Sequence, residues 1–208
     1  MLTPDQILSF LAAAVLITLS PGPDNLMVLG LGMSRGRRQG VSFGLGCALG
    51  CLSHTTLAVL GVSALIAASS LAFTALKIAG GLYLLWLGVQ ALKSGGGAVA
   101  GSEGGAPASL PRLFGRGLVA NAVNPKVLVF FLAFLPQFVD SQRGQGGLQM
   151  ALLGLLFTLQ AALLFAAIGY FAGHVGRWLA RTPRAALWLD RVAGAIFVSL
   201  GVRLLVVR

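Results

Sequence analysis

The 208-residue chain is apolar and basic: 57% of its residues are hydrophobic, 10% are charged, and its formal net charge is +10. An ordinary soluble domain carries about 25% charged residues. The composition, with a mean hydropathy of +0.89, therefore excludes a soluble globular domain and indicates an integral membrane protein that lies in a lipid bilayer. The basic residues occupy short connectors between apolar segments rather than one solvated face, which argues against a nucleic-acid partner.

Six apolar segments, each close to the roughly 20 residues that cross a bilayer, are predicted along the chain. They run from Pro4 to Met33, Gly40 to Ala67, Leu71 to Leu92, Leu113 to Val139, Leu148 to Phe171 and Ala186 to Val206. Between the third and fourth lies a Gly/Ala/Ser-rich stretch with the composition of a flexible linker. The predicted organisation is a three-helix repeat over 1–93, a cytoplasmic linker over 94–112 and a second three-helix repeat over 113–208.

The positive charges predict the orientation of these spans. The connectors after spans one, three and five carry most of them, namely Arg35, Arg37, Arg38, Lys93, Arg112, Arg116, Arg177, Arg181, Arg184 and Arg191, against Arg143, Arg203 and Arg208 on the other side. Positive connectors stay in the cytoplasm, so both termini are expected outside, in the periplasm. Because each half has an odd number of spans, the second half must be inverted relative to the first. The predicted fold is an all-α integral membrane protein of six transmembrane helices, arranged as two inverted three-helix repeats.

Two of the spans contain prolines where an unbroken helix would be expected. Span one is interrupted by "SPGPDNLMVL", beginning at Ser20, and span four by "NAVNPKVLVFF", in which Pro125 lies 104 residues after Pro21. Proline removes a helical hydrogen bond, and lipid offers the freed carbonyls no partner. Pro23 is expected to start a new half-helix, and Asn124 is expected to cap one that starts at Pro125. Matched breaks in two inverted halves point to a transporter site near the membrane midplane, with broken helices one and four.

Asp24 and Lys126 are the ionisable residues nearest to the two breaks. A charge at this depth is costly and implies a partner or a task. One interpretation is structural: Asp24 caps its half-helix and Lys126 extends to the membrane boundary. The functional interpretation is that Asp24 meets a substrate ammonium or carries a proton. Lys126 would then meet a substrate carboxylate or, in the unloaded site, Asp24 itself.

Span two contains residues of the types that bind transition metals. Cys47, Cys51 and His54 lie on one helix face, and soft ligands at this spacing could carry a transition metal across a membrane. Against this, the glycines at positions 40, 44, 46 and 50 are typical of a small-residue packing helix, in which cysteine is one more small side chain. His54 could relay protons near neutral pH or fill a structural role.

Several stretches together resemble the lysine exporter family of amino-acid efflux transporters, in particular its homoserine/threonine resistance branch. The resemblance rests on "SPGPDNL", "RGRRQGVSFGLGCALG", "KIAGGLYLLWLGVQAL" and "NPKVLVFFLAFLPQFV", in order and with matching spacing. It implies an exporter of amino acids or their derivatives in the bacterial inner membrane, driven by the proton gradient. The family motif marks as site residues Ser20, Pro21, Gly22, Pro23, Asp24, Asn124, Pro125 and Lys126.

The leading prediction is thus a transporter that exchanges protons for a small amino-acid substrate, with His54 as an added candidate for proton relay. The alternative is a metal-ion efflux protein that uses the Cys/His face of span two. No phosphate-binding loop and no nucleophile-base constellation is visible, so neither a cofactor nor an enzymatic activity is predicted. The glycines of span two also suggest a homodimer.

Overall fold

The computed structural model describes residues 2–94 and 108–206, and within these ranges the chain is helical, with no β-strand. The predicted all-α class is confirmed. Most of the linker predicted over 94–112 lies outside the described residues. The helix that follows it begins at Leu110, three residues before the predicted span.

The first half of the chain contains a broken helix followed by two longer helical segments. Its helices are α1 (Pro4–Leu19), α2 (Pro23–Ser34), α3 (Arg37–Leu57), α4 (Ser63–Ala68) and α5 (Ser70–Lys93), with a π-helical turn at Ala58–Val62 between α3 and α4. The axes of α1 and α2 differ by 57°.

The second half also begins with a broken helix that is followed by two long helices. Its helices are α6 (Leu110–Ala122), α7 (Pro125–Val129), α8 (Gly146–Arg181) and α9 (Pro183–Val206). Beyond α7 the chain continues through a π-helical turn at Phe130–Phe134 and 3-10 turns at Leu135–Phe138 and Ser141–Arg143. The bend between α6 and the segment Pro125–Phe138 is 49°.

Both breaks lie where the prolines predict them. α2 begins at Pro23 and α7 at Pro125, in the first helical position, where the missing N–H removes no helical hydrogen bond. Asn124 caps α7, since its side-chain oxygen accepts a hydrogen bond from the backbone N–H of Lys126 at 3.0 Å. The two helix starts are 102 residues apart. The structure therefore matches Pro125 with Pro23, not with Pro21.

Length and hydropathy identify fewer spans than the six predicted. Within the described residues, Arg37–Val62, Ser70–Lys93 and Gly146–Leu179 are each long and apolar enough to cross a membrane, and counting each bent pair as one span gives up to five. The sixth predicted span falls within α9, a 24-residue helix that is not among these five. α8 extends ten residues beyond the predicted end of span five.

Small residues allow α3 and α8 to cross closely. Near one end of α3, a Cβ atom at Gly40 would lie 3.1 Å from the Cα of Gly169, and near the other end Thr55 abuts Gly154. The two helices therefore run antiparallel. A larger side chain at these positions would separate the backbones, which is how small residues support helix packing in membranes. The predicted small-residue role of span two is confirmed.

The opposite side of α3 packs against α6 in the same way but in the parallel direction. A Cβ atom at Gly46 would overlap the carbonyl oxygen of Phe114, and one at Gly50 would lie 2.8 Å from the Cβ of Asn121. Asn121 is consequently held against the middle of α3, one turn before the break at Asn124.

α5 and α9 form another close helix pair. A Cβ at Gly88 would lie 2.9 Å from the carbonyl oxygen of Gly194, and one at Gly201 would lie 2.9 Å from that of Gly81. These contacts make α5 and α9 antiparallel neighbours. Elements at equivalent places in the two halves thus pair with each other, α3 with α8 and α5 with α9.

Candidate functional site

The first break leaves backbone carbonyls without their usual helical partners. Pro21 has no N–H to donate to the carbonyl of Ile17, four residues earlier. The hydroxyl of Ser20 donates to that carbonyl instead, at 2.7 Å. Ser20 is 3% exposed, so water does not replace the missing hydrogen bond. The serine of the motif is thus explained by the bond that its hydroxyl makes to this carbonyl.

A second carbonyl of the first break accepts a hydrogen bond from a side chain of α2. The side-chain amide of Asn25 donates to the carbonyl oxygen of Thr18 at 2.7 Å. The hydroxyl oxygen of Thr18 accepts a hydrogen bond from Gln160 of α8, at 2.9 Å. Asn25 and Thr18 were not predicted as site residues, although both flank the proline motif.

Lys126 reaches across from the second break to the first. Its amine donates to the carbonyl oxygen of Ser20 at 2.9 Å and lies 3.4 Å from the hydroxyl oxygen of the same residue. The side chain is 7% exposed. The interpretation in which Lys126 extends to the membrane boundary is therefore wrong.

Gly22 gives this amine the space it occupies. A Cβ atom built on Gly22 would lie 2.8 Å from Nζ of Lys126 and 3.3 Å from Cε. The backbone of Gly22 is extended, at φ −174° and ψ 174°, a conformation open to any residue. The glycine of the motif is thus explained by the approach of the lysine rather than by backbone conformation.

Asp24 receives its hydrogen bonds from the second break. One carboxylate oxygen accepts from the amide nitrogens of Asn121 at 2.7 Å and Asn124 at 2.9 Å. Asp24 is 4% exposed. α2 has Gly22 at its N-cap and no side-chain cap, so the interpretation of Asp24 as a helix cap is wrong.

The two breaks are therefore joined by hydrogen bonds in both directions. The carboxylate on the first is bound by amides of the second, and the amine on the second is bound by a carbonyl of the first. Lys126 and Asp24 do not bond directly: the amine is engaged with Ser20 and the carboxylate with the two asparagines. The expected pairing of Lys126 with Asp24 itself is not what this structure contains.

Asn121 connects the site to α3, and the sequence interpretation missed it. Its carbonyl has no helical partner because the residue four positions later is Pro125. That carbonyl accepts from the backbone N–H of Asn124 at 2.8 Å and lies 2.9 Å from Nε2 of His54. The side-chain oxygen accepts from the thiol of Cys51 at 3.4 Å. A polar residue four positions before a proline within a span is the signal that could have identified it.

His54 is fully buried on α3 and supports the second break. Because a carbonyl only accepts hydrogen bonds, the contact with Asn121 puts a proton on Nε2. Nδ1 is buried and has no hydrogen-bond partner. His54 thus reaches Asp24 only through Asn121, and it is not among the residues that line the cavity beside Asp24.

The metal alternative finds no support. Among the described residues, no group of three or more His, Cys, Asp or Glu side chains is arranged to hold a metal ion. Cys47 and Cys51 are buried as free thiols, and Cys51 is engaged with Asn121.

A narrow cavity lies between the two breaks. Asp24 and Lys126 both face it, and its volume of about 10 Å³ is near the lower limit for a single water molecule. The polar part of its wall also includes Thr18, Asn25 and Asn121. The site is therefore contracted in this structure, and any larger ligand requires the surrounding helices to separate.

A row of aromatic rings lies between this cavity and a second one. Phe130 lines the first cavity and lies 5.3 Å from Phe134, which in turn lies 5.3 Å from Phe138, measured between ring centroids. Phe138 lines a wider, open cavity at the start of α1, where the guanidinium of Arg203 lies 5.5 Å from its ring centroid. The π-helical turn after α7 and the 3-10 turn that follows it thus place rings between the buried cavity and the open one.

The fit between Gly22 and Lys126 predicts a coupled effect on stability. We expect Gly22→Ala to displace the amine and leave the Ser20 carbonyl unpaired, at about 1 to 3 kcal/mol. Lys126→Met removes the closest contact, so adding Gly22→Ala to that variant should cost much less. Unfolding of the purified protein measures both, with Gly115→Ala as the control, since a Cβ there meets nothing within 4 Å. Additive effects of the two substitutions would contradict this account.

Comparison with known proteins identifies the family. Residues 15–208 match the family model described as LysE type translocator. The chain is 30% identical to a homoserine/homoserine lactone efflux protein of Salmonella typhimurium, over 93% of this chain and 92% of that protein. It is 29% identical to a leucine efflux protein of Enterobacter sp., over 94% and 93% of the two chains, and 29% identical to a threonine efflux protein of Escherichia coli, over 93% and 94%. No solved structure gives a significant match to this chain.

The matched range begins within α1 and includes both breaks and every predicted site residue. Members of this family are translocators rather than enzymes. The chain belongs to the LysE type translocator family of transmembrane proteins.

Proposed function

We propose that this protein is a secondary active transporter that exports amino acids or their derivatives across the bacterial inner membrane. The observation that carries the proposal is the reciprocal binding of the two helix breaks, which brings a carboxylate and an amine to one buried cavity. The efflux activities named for the relatives support an amino-acid substrate.

The chemistry of the cavity suits a zwitterion. Asp24, steadied by two asparagine amides, offers a carboxylate to a substrate ammonium. Lys126 offers an amine to a substrate carboxylate, and the start of α2 adds the positive end of a helix dipole. Substrate binding then replaces the bond between Lys126 and Ser20. Because that bond joins the two halves, its replacement links binding to their separation.

Proton antiport follows from the same carboxylate. A proton and a substrate ammonium each neutralise Asp24, so their binding is mutually exclusive and thermodynamically linked. The role of His54 as a proton relay stays a prediction from the sequence, and its bond to the Asn121 carbonyl supports a positioning role, because it holds the residue whose amide binds Asp24. The proposed partners are protons, an amino acid and the lipid bilayer, and a homodimer stays a prediction.

The inverted repeat is part of the proposal. We assign residues 1–93 and 113–208 to two three-span halves, with α9 as the sixth span, since 24 helical residues extend about 36 Å. The matched helix starts at Pro23 and Pro125 and the antiparallel pairing of equivalent helices support it. The distribution of positive charge supports termini in the periplasm.

The first test removes each charge separately. Asp24→Asn keeps an oxygen that can accept from the asparagine amides, and Lys126→Met keeps most of the side-chain volume, so both proteins should insert. We expect both to reduce efflux of preloaded labelled amino acids to the background of cells without the transporter. Asp5→Asn and Lys93→Met, which change exposed charges, are the matched controls and should retain efflux.

Membrane abundance must be equal in all four variants. Lys126→Met should be the less stable of the two site variants, because it leaves the Ser20 carbonyl without its donor. Near-normal, proton-driven efflux by either site variant would contradict the proposed site.

The second test concerns orientation. Gly146→Cys should react with a membrane-impermeant maleimide in intact cells whose outer membrane is permeable to it. Gly97→Cys should react only after the inner membrane is opened. The unmodified chain is the control, since Cys47 and Cys51 are both 0% exposed. The reverse pattern would contradict the orientation. Labelling of both sites from outside would show that the chain does not cross the membrane once between them, as the fourth span requires.

A further inference from the structure

The lining of the cavity between the breaks contains two chemically different sets of side chains. The first set carries the charged and amide groups. The second consists of Ile17 of α1, Val127 of α7, Phe130 of the π-helical turn, and Phe157 and Phe165 of α8. All five of these side chains are at most 6% exposed, and none carries a hydrogen-bonding group.

The polar groups facing the cavity are already assigned. Asp24 and Lys126 suit the ammonium and carboxylate that all amino acids share, and Asn121 is engaged with Asp24 and Cys51. The Thr18 hydroxyl oxygen accepts from Gln160 and the Asn25 amide nitrogen donates to the Thr18 carbonyl, which leaves the hydroxyl proton of Thr18 and the side-chain oxygen of Asn25. Most of the contact open to a substrate side chain is therefore with the apolar wall.

The charges that line the cavity also restrict the charge of the substrate side chain. Asp24 is the one carboxylate among the described residues that line the cavity. If it binds the α-ammonium, a substrate with a cationic side chain finds no second carboxylate and would have to place its charge among aromatic and aliphatic groups, which is costly. An anionic side chain would likewise compete with the α-carboxylate for Lys126.

The geometry points to neutral amino acids with apolar side chains as the substrate class, selected over hydroxylated and charged ones. This inference rests on the proposed function and deepens it. The relatives do not decide the question by their names, since they include both leucine and threonine exporters. The wall of the cavity does: five of its side chains offer contact to methyl groups, and few of its polar atoms are left for a hydroxyl.

Valine and threonine provide a direct test, because they have nearly the same shape and differ by a methyl group against a hydroxyl. Inside-out vesicles or preloaded cells should export valine on the order of 10- to 100-fold more efficiently than threonine, the range that an apolar pocket achieves against a hydroxylated isostere. Norleucine and lysine extend the test to charge: norleucine should be exported and lysine should not.

A variant of the wall separates selectivity from general damage. Val127→Thr adds a hydroxyl to the cavity with little change in volume and should lower the valine-to-threonine ratio about 2- to 10-fold, the value of one hydrogen bond. Val129→Thr is the matched control: it lies two residues further along the same helix, outside the cavity, where it approaches Gly80 of α5. The control should leave the ratio unchanged.

The outcomes distinguish the inference from the proposed function. Export of threonine or lysine at least as efficient as that of valine would overturn the substrate class and leave amino-acid export intact. A ratio that changes equally in the Val127 and Val129 variants would also overturn it. Export of no amino acid above the background of cells without the transporter would overturn the proposed function itself.

Discussion

The structure depends on one constraint: backbone carbonyls left without helical partners at the two proline breaks, inside an apolar helix bundle, must find donors other than water. At the first break those donors are the Ser20 hydroxyl, the Asn25 amide and the Lys126 amine. At the second they are the Asn124 N–H and the His54 imidazole. Two of these five donors come from the opposite half of the chain: Lys126 serves the first break, and His54 of α3 serves the second. The open carbonyls at the breaks therefore create hydrogen bonds between helices that would otherwise meet only through apolar packing.

This arrangement joins stability to function. The Lys126 amine stabilises the first break in the contracted site and, in the proposed function, also binds the substrate carboxylate. A substrate that binds this amine would replace a bond between the halves, while its ammonium would bind the Asp24 carboxylate that the two asparagine amides hold. A transporter of this kind needs contacts that hold the site closed without substrate and that the substrate itself can replace. The row of rings from Phe130 to Phe138, on the π-helical turn and the 3-10 turn after it, lies between the buried cavity and the open one and would move in such a rearrangement.

Much of this could be predicted from the sequence, and the parts that could not have physical reasons. Composition and proline positions were sufficient for the helical class, for both breaks, for the Asn124 cap and for the position of Asp24 and Lys126 beside the breaks, because these depend on local chemistry. Asn121 was missed because its role depends on which helix packs beside it: Gly50 of α3 lets it approach, and His54 completes its carbonyl. The expected bond between Lys126 and Asp24 considered charge alone and overlooked the Ser20 carbonyl, which lacks a helical partner and lies nearer to the amine. The end of α8 was placed ten residues early because hydropathy marks the apolar part of a helix and not its full length.

The central claim is that Asp24 and Lys126 bind the two charged ends of one amino acid, and binding of substrate analogues to the purified protein tests it most directly. The amino acid that is exported best should be compared with its amide, which lacks the carboxylate, and its N-acetyl derivative, which lacks the ammonium. The account predicts that both analogues bind much more weakly than the parent. Lys126→Met should bind the amide and the parent alike, and Asp24→Asn should do the same for the N-acetyl derivative. If either analogue binds the unmodified protein as tightly as the amino acid, the two charges do not form the substrate site.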